Sequence, residues 1–505
     1  MATGFQISGR CARGPAAGPR PEGGGKLRRL AVATHERTPL RTKLFYGFGS
    51  VAFGVKDNGF GTFLLLYYNQ VLGLPEELVG FAIMLALIAD GLFDPIIGWA
   101  SDHLHSRWGR RHPFMYASAI PVGAAYYFLW SPPSGLSPNE LFLYLVCISI
   151  FVRALIACYE IPSSSLAPEL TDSYDERTSI LSYRYFFGWW GGLAVAVLAY
   201  SVFLVPDANH PVGVLNPDGY RRYGIAAAVI MTVAILISAA GTHSQIPRLK
   251  PPPPKRRLGF RGSIAELRET LSNHAFLVLF GFAIFTMMAV GLAAAIAIYF
   301  NTYFWELSSS GMSLLASLNF VSAALAASVT PSLSLRMGKK PAAIGTSLAV
   351  LVLAPLPIVL RLAGLFPENG SPALLPILAV ANTVVITLFI IASILVSSML
   401  ADVVEDSEVT TGRRSEGVFF AANAFVQKAV SGAGIFASTL LLRAIGFPRG
   451  AKPGEVDPSI LEGLALVYTP ALVLLFLIAI ALLTTYRISR ESHDENLRRL
   501  GRTGS

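Results

Sequence analysis

Twelve stretches of mainly apolar residues, each long enough to cross a bilayer as a helix, set the limits on how this chain can fold. A helical span needs about 20 apolar residues. The stretches lie near residues 43–72, 76–101, 114–131, 139–168, 182–205 and 222–242 in the first half, and near 274–305, 311–335, 341–363, 372–400, 416–445 and 459–486 in the second. Of the 505 residues, 53% are hydrophobic and only 14% are charged, which excludes an ordinary soluble protein. We therefore expect an all-α polytopic membrane protein whose 12 transmembrane helices form two six-helix bundles.

The segment between the sixth and seventh stretches separates the two predicted bundles. It reads HSQIPRLKPPPPKRRLGFRGSIAELRETLSN, and its proline run cannot lie inside a helix. We predict a cytoplasmic linker at 243–273 that ends in a short amphipathic helix. The first bundle then covers 43–242 and the second covers 274–487, with a flexible basic tail at 1–42 and a second tail at 488–505. The first forty residues hold no apolar core of the kind that a signal peptide needs, although their arginine content leaves an organelle transit peptide as an alternative.

Basic residues fall on alternate connections between the stretches, and this pattern predicts the orientation. The connections that we place in the cytoplasm carry Arg107, Arg110, Arg111, Arg177, Arg336, Lys339, Lys340, Arg413 and Arg414, and the linker and both tails are also basic. Two longer connections on the opposite side break the trend, with Arg221, Arg222, Arg449 and Lys452. Because short cytoplasmic loops hold an excess of Lys and Arg, both termini are predicted to lie in the cytoplasm. The same pattern accounts for the net charge of +9 without nucleic acid, and the compact loops favour a bacterial inner membrane.

The second stretch carries two carboxylates in its apolar second half. Asp90 and Asp94 are four residues apart, which places them on the same face of a helix, one turn from each other. A charge in the hydrocarbon core costs about 3 kcal/mol on insertion scales, so such residues usually face a polar cavity. The pair predicts a site for a monovalent cation or a proton, and the alternative is a structural salt bridge with a base from another helix.

Other ionisable residues inside the predicted spans come from both halves and are expected to share one cavity. They are Lys56, Asp57, Arg153, Glu160, Arg184 and Lys428. Lys428 needs a counter-charge from another helix, and we expect an acid of the first half to supply it. The alternative for Lys56 is neutralisation by Asp57, and the alternative for Arg153 is neutralisation of Glu160.

Aromatic residues gather at the end of the seventh stretch, where Tyr299, Phe300, Tyr303, Phe304 and Trp305 follow one another closely. Tyr and Trp are enriched at membrane–water interfaces, so we interpret the cluster as an interfacial belt. Stacking on a sugar ring is the alternative.

No pattern in the sequence points to an enzyme. There is no Ser/His/Asp grouping and no metal-ligand spacing, and the three cysteines form no C-x-x-C pair. We therefore expect no catalytic residue, no cofactor and no metal centre beyond a candidate Na⁺ site at Asp90 and Asp94.

Four groups of motifs carry a family resemblance. They are KLFYGFG with Lys56 and Asp57, DGLFDPIIGW with SRWGRRHP, YEIP with ERTSILSYR, and ADVVEDSE with QKAVSGAG. Together they resemble the glycoside-pentoside-hexuronide:cation symporters of the major facilitator superfamily, the family of melibiose permease. The resemblance extends from Lys43 to about Arg487. It implies the major facilitator fold and a secondary active transporter that moves a sugar or glycoside with a cation, H⁺ or Na⁺, by alternating access.

The resemblance also implies roles for individual residues. Asp90 and Asp94 match the carboxylates that cations share in the family, and Lys428 matches a lysine that helps to couple the two sites. The residues that match the sugar site, together with the two neighbours that we add to them, are Asp57, Glu160, Arg184, Tyr159 and Arg153.

Departures from the family pattern bear on the coupling ion. Phe93 stands where a small polar residue or Asn is frequent, and Ala157 stands where a Thr is frequent. Both changes remove oxygen ligands, whereas a hard cation such as Na⁺ is held by several oxygens. We therefore favour H⁺ over Na⁺. Because the sugar-site acid is Glu160 and not Asp, we do not expect a galactoside.

Two other functions stay open at this point. Animal relatives of this family carry lysophospholipids, so a lysophospholipid or another amphipathic solute is the alternative substrate. A membrane receptor that binds without transport would need an appended signalling domain, and we expect neither tail to form one. As partners we expect a small-molecule substrate, a monovalent cation and the lipid bilayer, without nucleic acid, and we expect the protein to be a monomer.

Overall fold

The computed structural model describes residues 38–171, 174–248, 273–411, 416–488 and residue 495. Within these ranges every regular element is helical and there is no β-strand. Most of the linker, at 249–272, lies outside the described residues, and so does the amphipathic helix predicted there.

Six helical spans, numbered in chain order, make up the first half. Span 1 consists of Leu40–Phe48, Val51–Asn58, the π-helical turn Gly59–Phe63, Leu64–Leu66 and the π-helical turn Tyr67–Val71. Spans 2 to 6 are Glu76–His103, His112–Leu129, Pro138–Leu170, Tyr174–Leu198 with the π-helical turn Ala199–Phe203, and Pro217–His243.

Six further spans make up the second half. Span 7 is His274–Tyr299 with the π-helical turn Phe300–Phe304, and span 8 is Ser309–Met337. Span 9 is divided at Pro355 into Lys339–Leu353 and Leu356–Leu362. Spans 10 to 12 are Leu374–Thr411, Glu416–Ala444 and Pro458–Thr484.

The predicted spans and the observed helices differ mainly at polar positions. Among the described residues, 10 helices are long and apolar enough to cross a membrane on their own. The other two predicted spans are span 1, which π-helical turns divide into short pieces, and span 3, whose 18 residues include one histidine and two prolines. Span 5 begins at Tyr174, before the predicted 182, and span 10 continues to Thr411, past the predicted 400. Hydropathy locates only the part of a helix that lies in lipid, whereas a helix can continue into water.

The spans pack as two bundles that meet along three pairs of helices. Span 1 packs on spans 5 and 6, span 2 on span 4, and span 3 on spans 4 and 6. In the second half, span 7 packs on spans 11 and 12, span 8 on span 10, and span 9 on spans 10 and 12. The halves meet where span 2 packs on span 11, span 5 on span 8, and span 1 on span 7.

A glycine contact between spans 1 and 5 positions the middle of span 1. A Cβ at Gly54 would overlap the carbonyl oxygen of Gly188, so only glycine allows the two backbones to approach this closely. Lys56 and Asp57 follow directly on span 1. The close contact therefore fixes the segment that carries two of the predicted site residues.

The bundles have two ends, the linker end and the far end. The linker end holds the connection 104–111 and the start of the linker at 244–248. The far end holds the connections 72–75, 305–308 and 445–457.

Candidate substrate and cation site

The two carboxylates of span 2 lie one turn apart inside the protein. Asp90 is fully buried, and the side chain of Asp94 is 24% exposed. The Oδ1 atom of each carboxylate is buried and has no hydrogen-bond partner among the described residues. Each carboxylate therefore keeps one oxygen free for a further ligand.

Three basic side chains from three other spans surround the second oxygen of Asp90. Arg153 of span 4 donates a hydrogen bond from Nη1 to Asp90 Oδ2 at 2.9 Å. Lys428 of span 11 lies 3.4 Å from the same oxygen and donates to Asp94 Oδ2 at 2.6 Å. Lys56 Nζ lies 3.9 Å from Asp90 Oδ2. The sequence predicts that an acid of the first half neutralises Lys428, and the structure places Asp94 in that position.

Lys56 connects this pair to two further acids. Its Nζ atom lies 3.0 Å from Asp57 Oδ1 and 3.7 Å from Glu160 Oε2. Lys56 itself is buried, whereas the Asp57 side chain is 60% exposed in the middle of span 1. A charged side chain that is exposed halfway along a span faces a water-filled cavity. The four acids and three bases are thus one continuous network at the edge of this cavity.

Arg184 and Tyr159 lie behind the network. Both side chains are buried, and Arg184 donates to Ser163 Oγ at 3.0 Å and to the backbone oxygen of Glu160 at 3.4 Å. The Tyr159 hydroxyl donates to Ser238 Oγ of span 6 at 3.1 Å. The structure therefore joins Asp57 and Glu160 through Lys56 at the cavity. It buries Arg153 against Asp90 and places Tyr159 in the packed interior of the first bundle.

The sequence places Lys56 in the shared cavity but predicts no role for it in binding the cation or the sugar, whereas in the structure it lies at the centre of the network. The signal was present, because a lysine inside an apolar span needs acids around it. The neighbouring acid Asp57 was enough to explain the charge of Lys56 from the sequence alone. The acids of spans 2 and 4 are distant in sequence, so their contacts with Lys56 depend on helix packing.

At the far end, a buried network of amides and hydroxyls joins the two halves. Tyr299 of span 7 donates to Asn69 Oδ1 of span 1 at 2.8 Å, and Tyr303 donates to Gln70 Oε1 at 3.3 Å. Gln70 also donates to the backbone oxygen of Pro448 at 3.2 Å and accepts from the Ala451 backbone N–H at 3.1 Å. The two tyrosines, which the sequence led us to interpret as part of an interfacial belt, thus connect one bundle to the other.

Two ion pairs lie at the rim of this network. Arg449 contacts Glu76 at 3.4 Å and Arg443 contacts Glu77 at 3.3 Å, and both arginine side chains are about half exposed or more. The Arg443–Glu77 pair is exposed and contributes little stability, about 0–1 kcal/mol. Glu76 is buried and also accepts a hydrogen bond from Asn69 Nδ2 at 3.4 Å. The buried hydrogen bonds of Asn69 and Gln70 are therefore the stronger contacts that close the far end.

At the linker end, the basic turns pair with acids of their own half. Arg110 and Arg111 both contact Glu169 Oε1, at 2.7 and 3.1 Å, within the first bundle. Lys339 contacts Asp402 at 2.7 Å within the second bundle. These pairs stabilise each bundle separately and do not connect the two.

Two six-helix bundles that meet around a charged cavity, with one end closed by contacts between the bundles, define a class of protein. This is the architecture of membrane transporters that alternate access to a central site. The profile of the family described as MFS/sugar transport protein, where MFS is the major facilitator superfamily, matches residues 45–490. The chain belongs to this family, which confirms the resemblance seen in the sequence.

Curated relatives resemble this chain along most of their length. An uncharacterized symporter of Synechocystis sp. is 27% identical, over 91% of this chain and 96% of that protein. The isoprimeverose transporter of Lactiplantibacillus pentosus is 25% identical, over 83% of each protein. The sodium-dependent lysophosphatidylcholine symporter 1-A of Danio rerio is 24% identical, over 91% of this chain and 88% of that protein.

Among solved structures, the inward-open conformation of the xylose transporter XylE from E. coli has the same fold. The TM-score is 0.60 at 16% identity, over 91% of this chain and 98% of that one. The protein is thus a multi-pass membrane protein with the major facilitator fold. It is a cation-coupled symporter of a small molecule and not an enzyme.

Proposed function

We propose that this protein carries a sugar or glycoside into a bacterial cell together with a proton. The observation that carries the proposal is the position of Lys56. This one side chain contacts the exposed acid Asp57 and Glu160 on one side and the buried acid Asp90 on the other. A change of charge at Asp90 therefore reaches the acids at the cavity through a single lysine.

The cavity-side acids are the proposed ligands of the sugar. Asp57 and Glu160 carry carboxyl groups, and each can accept hydrogen bonds from neighbouring hydroxyl groups. Arg184 supports this site from behind by holding the backbone of Glu160. For Tyr159 and Arg153, the burial of both side chains favours a supporting role over direct contact with the substrate. The isoprimeverose transporter among the relatives supports a sugar as the substrate.

The oxygen count at span 2 supports H⁺ as the coupling ion. Asp90 and Asp94 offer two unpaired oxygens, whereas their other oxygens already contact Arg153, Lys428 and Lys56. Na⁺ needs several oxygen ligands, and the nearby positions Phe93 and Ala157 have side chains without oxygen. A proton needs only one free carboxylate oxygen.

The unpaired oxygens of span 2 explain how binding of the ion favours transport. Asp90 and Asp94 each keep one buried carboxylate oxygen without a hydrogen-bond partner among the described residues. A buried carboxylate oxygen without a partner is costly, so an empty site opposes closure of the cavity. A bound proton removes this cost, and the loaded site can then pass from one side of the membrane to the other.

The positions of the basic residues define the proposed orientation. The connections rich in Arg and Lys lie at the linker end, which we place in the cytoplasm together with both termini. Because buried contacts close the far end, the water that reaches Asp57 enters from the cytoplasmic side, and the described conformation is open inward. We propose 43–242 and 274–487 as the two moving bundles of a monomer in the inner membrane. Residues 243–273 then form the linker, and 1–42 and 488–505 form the tails.

A lysophospholipid is the second candidate substrate. The relative from Danio rerio is named for lysophosphatidylcholine. In span 5, Tyr185 and Trp189 are more than half exposed and offer an apolar surface for an acyl chain. A substrate of this kind would place its charged head group at the network and its chain along this surface.

The test is uptake of labelled isoprimeverose, melibiose, xylose and glucuronate into vesicles that contain the protein, under separately imposed H⁺ and Na⁺ gradients. Lysophosphatidylcholine is tested in parallel. Accumulation of one sugar under the H⁺ gradient is the expected result. Accumulation driven only by Na⁺ would overturn the choice of ion, and uptake of lysophosphatidylcholine without any sugar would overturn the choice of substrate.

A further inference from the structure

Two amide side chains in the second half lie inside apolar spans. Asn382 of span 10 donates a hydrogen bond from Nδ2 to Asn319 Oδ1 of span 8 at 3.2 Å, and both residues are half-buried. We call them the amide pair. Nearby Thr383 and Thr387 are already satisfied, because each donates to a backbone oxygen of its own helix. The Nδ2 of Asn319 and the Oδ1 of Asn382 make no hydrogen bond within the described residues.

The exposed aliphatic residues of spans 8 and 10 mark the faces that meet lipid. Within ten residues of the amide pair they are Leu314, Val321, Leu325 and Val329 in span 8, and Ile377, Val380 and Val384 in span 10. With 3.6 residues per turn, Asn382 lies on the side of span 10 opposite to its exposed set. Asn319 lies between the side of span 8 that packs on span 10 and the side that faces span 5. The amide pair therefore points away from lipid, toward the space between the two halves.

Contacts between the halves place the amide pair at the depth of the charged network. Phe320, next in sequence to the amide of span 8, packs on Trp190 of span 5 with ring centroids 4.7 Å apart. Trp190 lies two residues before Gly192, whose backbone meets Gly54 of span 1. On span 1, Asp57 comes three residues after Gly54. The amide pair and Asp57 thus lie at about the same level in the membrane, on opposite halves.

We propose that Asn319 and Asn382 form the second-half side of the substrate site and bind neighbouring hydroxyl groups of a sugar. This inference rests on the proposed function and deepens it. A free amide N–H and a free amide oxygen next to each other match the donor and acceptor of a vicinal diol. The acids of the first half can only accept hydrogen bonds, so a polyol held between the two sets would bridge the bundles. A substrate that bridges the halves favours closure of the cavity around it, and an acyl chain would use neither amide.

The experiment compares Asn319→Ala and Asn382→Ala with the matched control Ser328→Ala. Ser328 lies on span 8, is exposed, and donates to a backbone oxygen of its own helix. The substrate in this experiment is the sugar that the wild type accumulates in the uptake test proposed above. Each amide variant is expected to raise KM at least about tenfold, as losing hydrogen bonds in a buried site does, with Vmax within about twofold and the control unchanged.

A series of monodeoxy analogues of that sugar sharpens the test. One analogue will lack the hydroxyl that the amide pair binds. For this analogue the wild type should show the same raised KM as the variants, and the amide variants should not raise KM any further. Where a variant reaches the membrane poorly, alkylation of Asn382→Cys gives a second readout. The sugar should slow its alkylation severalfold.

The outcomes separate this inference from the proposed function. Unchanged KM in both variants, or alkylation at position 382 that the sugar does not slow, would overturn the role of the amide pair while sugar transport stands. A wild type that takes up no sugar of the panel would overturn both.

Discussion

Lys56 is the residue whose replacement tests the coupling mechanism most specifically. We expect Lys56→Met to separate cation binding from substrate binding while the protein still folds. The folding expectation follows from the surroundings of the three acids. Asp90 keeps Arg153 and Lys428 as partners, Asp57 is exposed to water, and the Glu160 side chain, which loses its contact with Lys56, is 21% exposed. Methionine is also similar in length to the apolar part of the lysine side chain.

The magnitude follows from the distances around the Lys56 amine. At 3.9 Å, the Lys56–Asp90 interaction is about 4 kcal/mol for an effective dielectric constant of about 20. Neutralising Asp90 removes this attraction and leaves Lys56 to Asp57 and Glu160. Coupling free energies between two ligands are usually about 1–3 kcal/mol, equal to about 5–150-fold in affinity. A fraction of the Lys56–Asp90 interaction energy is therefore enough to produce coupling of this size.

The assay is equilibrium binding of the transported sugar to purified protein at acidic and at alkaline pH. In the wild type, protonation should raise the affinity for the sugar by about 5–150-fold, and in Lys56→Met by less than about threefold. Lys43→Met is the matched control, since Lys43 lies on span 1 and pairs with Glu176 at 2.8 Å, outside the network. If Lys56→Met keeps the full effect of protonation, coupling does not pass through Lys56.

Three further predictions concern the charged network and the far end. Arg153→Met should lower the free energy of unfolding by about 3–5 kcal/mol because it leaves Asp90 buried without its closest partner, and adding Asp90→Asn should restore most of it. Thermal unfolding in detergent measures both, and equal stability losses in the single and double variants would contradict the pairing. Asp94→Asn should abolish accumulation of the sugar against a gradient but leave exchange of labelled for unlabelled sugar across vesicles, so that retained accumulation would exclude Asp94 from the cation site. Gln70→Ala removes buried hydrogen bonds between the halves and should raise, by about tenfold, the rate at which an impermeant thiol reagent on the far side labels a cysteine placed at Asp57. An unchanged labelling rate would show that other contacts close this end.

Much of the fold could be predicted because bilayer thickness imposes one length on every span. The apolar stretches gave the helix count and the position of the linker between Pro217–His243 and His274–Tyr299. They could not give the π-helical turns of span 1 or the extension of span 10 to Thr411. Those features depend on packing against neighbouring helices and on polar residues beyond the lipid, and neither contributes to hydropathy.

The candidate site could be predicted only in part, because charges inside an apolar span are visible in a sequence but their partners are not. Asp90, Asp94 and Lys428 are recognisable as charges that need neutralisation, and the structure joins them. The partner of Arg153 was harder to predict, because Glu160 lies two turns away on the same helix and is the nearer acid in sequence. Arg153 instead contacts Asp90 on span 2. The contact depends on how spans 2 and 4 are packed, and no pattern along one helix reports it.

The contacts that close the far end show the same limit. Asn69 and Gln70 stand in the last turn of span 1, next to a connection where polar residues are ordinary. Tyr299 and Tyr303 stand where aromatic residues usually meet lipid head groups. Each pair has an adequate local explanation, so nothing in the sequence singles it out. Only the packing of span 1 on span 7 shows that the amides and hydroxyls bond to each other.

The most direct test of the central claim is the proton movement that accompanies sugar entry. Purified protein is reconstituted in vesicles without any ion gradient, the transported sugar is added outside, and the external pH is followed together with sugar uptake. Because we propose that one proton enters with each sugar molecule, we expect the medium to become alkaline by about one proton for each sugar molecule, and we expect no change with Asp94→Asn. Sugar entry without proton movement would contradict the proposed coupling.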